Sequence, residues 1–319
     1  MIKKILCKSL AVAGATLIAT SVCAQGNAPL RILELNPDAR SQALGGTNLV
    51  THSNNYLYTN PTNIFGVESR FSAYVGTEFM PKQEIGGREK YVVASAGYKL
   101  NEHHAIFGGF RYLSGLSIPK VNGMGEDLAT NIKPNQTILD LGYAYNSCDK
   151  FFAYATAAMI RSVSNKQTTN YIFGVGVSYK DEAALFDGTL PTRWTATLSA
   201  HHFGQDLNYG EGLSYRMPST ISLGVGAMSD INEDHSVGLQ LQGGYVTSYK
   251  ESQIGVGASY EYRKMIGVHT GFQHQGKGLD FYSLGTSLTF GKVSVDLTYR
   301  LGLSEFTRNS LAVGASIAL

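Results

Sequence analysis

From residue 70 to its last residue, this chain places apolar side chains at every second position, and the 3.6-residue period of a helix is missing there. Ile221, Leu223, Val225 and Ala227 alternate with Ser222, Gly224 and Gly226. Val237, Leu239 and Leu241 alternate with Gly238, Gln240 and Gln242, and Leu311, Val313, Ala315 and Ile317 with Ala312, Gly314 and Ser316. Neighbouring side chains on a strand point to opposite faces, so each segment has one apolar face and one small or polar face. A soluble sandwich would bury the apolar face, whereas a membrane barrel turns it outward to lipid and lines its lumen with the other. Alternation by itself leaves both open.

Segment length separates them. Fourteen alternating segments are expected, at 70–78, 89–99, 104–113, 136–146, 150–162, 168–180, 191–202, 217–229, 235–247, 251–263, 265–274, 278–290, 291–301 and 308–319. Most are about 10–13 residues long, close to the ~9–11 that a tilted strand needs to cross a bilayer and about twice an ordinary strand. Tyr171, Tyr179, Tyr260, Tyr262, Tyr282, Phe290 and Tyr299 fall near segment ends, as in the aromatic girdles of outer-membrane barrels. An even count returns both ends of a barrel to one side. The long links 114–135 and 203–216 both follow odd-numbered segments, while the short links at 147–149, Lys264 and Gly291 follow even-numbered ones. The link 181–190 is too long for its side. The expected fold is an all-β transmembrane antiparallel barrel of about 14 strands.

Three further stretches frame that barrel. Residues 1–24 read as a cleaved export signal: Lys3, Lys4 and Lys8, then an uncharged run from Ser9, then Val22-Cys23-Ala24 before Gln25. Without the three leader lysines, the 26 Lys and Arg become 23 against 24 Asp and Glu. That near-neutral balance argues against a nucleic-acid partner, which would normally leave a basic stripe. Cys148 is the one cysteine beyond the leader, so neither a disulfide framework nor a cysteine metal site is expected. Residues 25–69 are too polar and broken for a membrane strand; Gly45-Gly46 and Asn60-Pro61 are turn signals. They read either as an ordinary N-terminal loop with a short helix or as a segment folded inside, or under the mouth of, the barrel. In the second case Arg40 and Asp38 would pair with lumen groups, and Gln240, Gln242 and Ser222 would accept hydrogen bonds from the plug.

Catalytic and metal signatures are weak. The pairs His103-His104 and His201-His202 are adjacent, so on a strand their rings should point to opposite faces and not share a metal; His269 and His274 diverge likewise. Gly-x-Gly recurs at 174–176, 224–226 and 255–257, but inside strands, where a dinucleotide site would need a strand–turn–helix. These small residues instead leave room for something packed against the lumen wall. Ser199, His201 and Asp206 have no spacing that marks a hydrolase. No enzyme activity, cofactor or metal is expected.

The stretch Asp38-Ala39-Arg40, Ala43-Leu44-Gly45-Gly46 and Tyr58-Thr59-Asn60-Pro61 resembles the PorV/PorQ family, a branch of the FadL-like fourteen-stranded outer-membrane barrels of Bacteroidetes. It departs in having Thr62-Asn63 after Asn-Pro and in ending at Leu319, where many outer-membrane proteins end in Phe. The resemblance implies a lumenal plug, a place in the outer membrane and a role in type IX secretion. That role would be to shuttle or anchor the C-terminal signal domains of cargo, together with other secretion proteins. The expected partner-contact residues are Tyr112, Leu116 and Ile118 at the first long link, and Leu207, Tyr209, Leu213 and Tyr215 in the second. The alternative is a FadL-like transporter of small hydrophobic molecules, disfavoured by inward faces rich in Gly, Ser and Gln.

Overall fold

The computed structural model describes residues 30–83, 86–121, 127–164, 166–185, 190–209, 214–276, 279–304 and 307–319. The expected leader, and residues 25–29 of the expected plug, lie outside the described residues. The strands are β1 (Phe71–Phe79), β2 (Lys90–Lys99), β3 (His104–Ser114), β4 (Ile118–Val121), β5 (Asp127–Ile132), β6 (Asn135–Cys148), β7 (Phe151–Val163), β8 (Gln167–Leu185) and β9 (Leu190–Gly204). They continue with β10 (Leu207–Asn208), β11 (Ser214–Tyr215), β12 (Thr220–Asp230), β13 (His235–Val246), β14 (Glu251–Tyr262), β15 (Ile266–Gln275), β16 (Phe281–Phe290), β17 (Val293–Gly302) and β18 (Ser310–Ala318). The pairs β4–β5 and β10–β11 are small ladders within the two long links. The other fourteen strands close one antiparallel barrel, with β1 paired to β18.

Each expected segment overlaps one barrel strand. The anomalous link 181–190 has a structural cause. Strands β8 and β9 stay paired from Lys180↔Thr195 down to Leu185↔Leu190, past the start of β7 at Phe151. The hairpin leaves the membrane band there, and Asp181-Glu182 breaks the alternation because lipid no longer selects its outer face.

The apolar face is the outer one. Leu239 and Leu241 are 67% and 52% exposed, whereas Gln240 and Gln242 between them are 9% and 7% exposed. A closed ring with apolar side chains outside and polar ones inside suits lipid without and polar contacts within.

Residues 30–66 supply those contacts. They form a 3-10 turn at Arg31–Leu33, one short helix, α1 (Ala39–Ala43), and a second 3-10 turn at Pro61–Gly66. The segment starts on the side of the long links, where Arg31 pairs with Glu89 and the Ile32 amide donates to Gln136. It reaches the opposite rim where Lys99 Nζ donates to the Val67 carbonyl. We call these the loop end and the turn end. Between them the segment hydrogen-bonds to at least nine of the fourteen barrel strands. Partners spread so widely around the ring can be reached only from inside it. Ile32, Leu57 and Ile64 also join the buried cluster containing Ile138, Ile160 and Ile172 on the wall.

Candidate functional site

The lumenal segment is the most elaborate polar construction in the described chain, and its local folding follows from its caps. The Asp38 carboxylate accepts from the Ser41 amide at 2.7 Å and so starts α1; its second oxygen accepts from Ser53 at 2.7 Å. Asn60 caps the second 3-10 turn through Thr62, with Pro61 in the first position, where its missing N–H costs nothing. Its amide group also donates toward the Leu49 carbonyl, Ser178 and Thr197 at 2.9–3.1 Å, tying the segment to β8 and β9.

Around α1 the segment is held on the other wall. Arg40 donates to Asp296 on β17 at 2.8 Å and to the His52 carbonyl at 3.0 Å. Thr298 donates to the Ala39 carbonyl, Ser283 to the Ala43 carbonyl, and the Ala39 amide donates to the Tyr74 hydroxyl. Asp38, expected to meet a wall group, instead serves the segment's own fold. Gly45 and Gly46 have φ of 67° and 77°, a left-handed turn that favours glycine. This turn presses on the wall: a Cβ on Gly257 would lie 2.6 Å from the Leu44 carbonyl, and one on Gly271 would collide with the Gly45 amide. The in-strand Gly-x-Gly repeats at 224–226 and 255–257 thus face the segment, Gly224 and Gly226 against Leu49 and Val50. Gln240 accepts from Thr47 and Thr51, and Gln242 accepts from the Leu49 amide. Among the described residues the Ser222 hydroxyl has no hydrogen-bond partner, contrary to expectation.

Burial, followed by repulsion from Asp296, pushes the Asp38 carboxyl up to about 6, against the pull of its Ser53 and Ser41 hydrogen bonds and of Arg40.

Tyr58 marks the other side of the segment. Its hydroxyl donates to Asp140 at 2.7 Å. Asp140 also takes two hydrogen bonds from Arg111, whose guanidinium lies 5.0 Å above the Tyr58 ring. A cavity of about 220 Å³ lies beside this triad and is lined by Arg111, Asp140, Tyr154, His201, His202 and Gln242 among others. Here the sequence expectation fails. His201 and His202 both line the cavity, because the β8–β9 register shifts between Phe173 and Val175 and His202 has φ 61°. A bulge adds a residue and cancels strict alternation. Among the described residues no three His, Cys, Asp or Glu side chains converge as a metal site. The other histidines keep separate partners: His103 with the Asn146 carbonyl, His104 with Tyr143, His269 with Ser287 and His274 with Asp280.

The wall charges Arg111, Asp140, Asp296, Glu78 and Arg300 were not singled out from sequence, although the signal was there. A charge inside a lipid-facing alternating segment must point to the lumen. At the loop end, Ile118 (52%) and Tyr215 (38%) are exposed, and Tyr112 and Leu116 are half-buried. Leu207 is buried, and the Tyr209 hydroxyl donates to Ser162, so these two close the barrel mouth and present little surface. Leu213 lies outside the described residues.

A family model described as type IX secretion system protein PorV matches residues 24–245. No curated protein matches the chain in sequence. Among solved structures, the Pseudomonas putida toluene transporter TodX is similar, with TM-score 0.59 and 12% identity over 88% of this chain and 98% of that one. The CymD monoaromatic hydrocarbon channel is similar at TM-score 0.56 and 9% identity, over 88% of this chain and 97% of that one. A Pseudomonas aeruginosa FadL homologue is similar at TM-score 0.51 and 11% identity, with the same coverages of 88% and 97%. At such identities these likenesses speak for the fold.

Proposed function

Because the chain belongs to the PorV family of type IX secretion proteins, we propose that this outer-membrane barrel receives the C-terminal signal domains of exported cargo at its loop end. It would act there as a shuttle or as the anchor of an attachment complex, and it would perform no chemistry of its own. The observation that carries this reading is the lumenal segment, bonded to strands all around the ring. A lumen filled in this way is a poor conduit, so the surface left for partners is the rim. The β4–β5 and β10–β11 ladders build that rim, and exposed Ile118 and Tyr215 give it apolar contacts.

The rival reading, passage of small hydrophobic molecules, draws support from the FadL-like fold and from the 220 Å³ cavity. Leu33, Leu35, Leu49, Leu57 and Ile172 offer an apolar guest partners there, but it would also lie against the Arg111–Asp140 pair, two histidines and Gln242 without hydrogen-bonding them, and desolvating polar groups is costly. The plug role of residues 30–66 belongs to either reading.

The experiment compares surface, periplasmic and culture-fluid proteomes of a deletion strain complemented with wild type, an Ile118→Asp/Tyr215→Ala variant, or Asn60→Ala. Proteins sharing a C-terminal domain should leave the surface and accumulate in the periplasm without the barrel. The loop variant should fail to restore them. If that set is unchanged while Asn60→Ala alters sensitivity to hydrophobic compounds, the transporter reading replaces this one.

A further inference from the structure

One constellation is built twice, on nearly opposite flanks of the barrel. At the β2–β3 turn, Asn101 Oδ1 accepts from the amides of His103 and His104, both at 2.9 Å. At the β12–β13 turn, Asn232 Oδ1 accepts from the amides of Asp234 and His235, at 3.0 and 2.9 Å. The sequences are Leu-Asn-Glu-His-His at 100–104 and Ile-Asn-Glu-Asp-His at 231–235. In both, the final histidine meets two tyrosines of the next strand. His104 Nδ1 lies 2.5 Å from the Tyr143 hydroxyl and its ring 5.2 Å from that of Tyr145. His235 Nδ1 lies 2.6 Å from the Tyr260 hydroxyl and its ring 5.3 Å from that of Tyr262.

The turns do not need these imidazoles, since Asn101 and Asn232 and the backbone already close them. What the tyrosine contact does is hold each ring flat against the outer sheet face. With the phenol donating, Nδ1 accepts and Nε2 carries the hydrogen. Among the described residues neither that nitrogen nor the Tyr145 or Tyr262 hydroxyl has a hydrogen-bond partner, so each cluster aims imidazole and phenol donors outward.

Their surroundings name the medium. Ile106, Leu141, Val237, Leu239 and Val268 are exposed apolar neighbours toward the membrane band, while Glu102, Glu233, Arg263 and Lys264 are exposed on the other side. This is the boundary where hydrocarbon gives way to head groups, and unlike a simple aromatic girdle it offers matched donors at two fixed points.

We propose that the His104–Tyr143–Tyr145 and His235–Tyr260–Tyr262 clusters are paired binding sites for the phosphate-bearing head group of a phospholipid. The phosphate or adjoining ester oxygens accept from Nε2 and the free phenol. Five barrel strands separate β3 from β13 one way round and seven the other, so two such contacts level the barrel in its leaflet. This goes beyond the cargo reading and does not depend on it.

The test is native mass spectrometry of the full chain released from mild detergent with dioleoylphosphatidylethanolamine, and with dioleoylglycerol as the headgroup-free control. Wild type should retain two phospholipids and no diacylglycerol. His104→Phe and His235→Phe should each retain one, and the double variant none, with at least a tenfold loss of affinity per site. Heat-dependent gel migration checks the fold. If the histidine variants fail to fold, Tyr145→Phe with Tyr262→Phe keeps the ring packing, removes the free hydroxyls and should show a loss at both sites. Undiminished lipid retention in a folded double variant, equal retention of diacylglycerol, or no lipid on wild type would each overturn the proposal.

Discussion

Asp296 is the residue on which the seating of the lumenal segment most depends. It holds Arg40 at 2.8 Å, and both side chains are nearly enclosed. Asp296→Ala would leave a guanidinium buried without its partner, at a cost of about 3–5 kcal/mol; removing both charges, as Arg40→Met with Asp296→Leu, should recover most of that. Protease cleavage within residues 30–66 of the folded barrel reads the difference: fast in the single variant, slow in wild type and in the double. A second residue sets a pH response. Because the Asp38 carboxyl sits at about 6 in the folded chain against an ordinary 3.8, its ionisation opposes folding. The favourable contribution is complete below about pH 4 and lost as pH rises through about 6, on the order of 3 kcal/mol in full. The thermal midpoint of wild type should therefore fall from pH 5 to pH 8, and Asp38→Asn, which still caps α1, should flatten that slope. An unchanged slope in Asp38→Asn would place the pH response elsewhere. From sequence, Arg40 and Asp38 were legible as polar residues in a segment bound for the lumen. Which wall residue meets which was not, because Arg40 and Asp296 are joined by barrel closure and not by any local pattern.

At the scale of elements, the fourteen strands were legible because lipid outside and a packed lumen inside impose opposite demands on alternate residues of each one. Legibility ended where those demands ended. Asp181-Glu182 continue β8 past the membrane band, so a strand read there as a link. His201-His202 sit in a bulge, which alternation does not encode. The bulge carries a testable cost: a non-glycine residue at φ 61° is uncommon and worse for β-branched side chains. His202→Gly should be neutral or stabilising by up to about 1 kcal/mol, and His202→Val destabilising by roughly 1–3 kcal/mol, measured as shifts in the heat-dependent gel transition. Equal transitions for the two variants would mean that the bulge relaxes freely, and that the shared facing of the two histidines is not imposed by the backbone.

At the scale of the whole molecule, the barrel shares its core with the lumenal segment. Its outer face is apolar for lipid, its inner face mixes Gly, Ser, Thr and Gln with buried Val93, Phe107, Ile138 and Ile160, and the apolar cluster joins these to Ile32, Leu57 and Ile64 of the lumenal segment. Gly257 and Gly271 admit that segment's backbone to contact with the wall at β14 and β15, and the cavity beside Arg111 and Asp140 reaches Gln253, Gln273 and Gln275 at the loop ends of those two strands. Removing residues 30–66 would leave the hydroxyls, amides and charges of the inner face with little to satisfy them but water, and would expose the wall's share of the apolar cluster. The full chain in a planar bilayer should therefore pass little current, the chain lacking 30–66 should conduct steadily, and Asn60→Ala, which cuts the ties to β8 and β9, should flicker between the two. Gly271→Val makes the same test without a deletion, since its side chain would displace the Gly45 turn while leaving the strands intact. If full chain, Gly271→Val and deletion all conduct alike, the segment does not seal the lumen, and the open path would have to run through the cavity lined by His201 and His202.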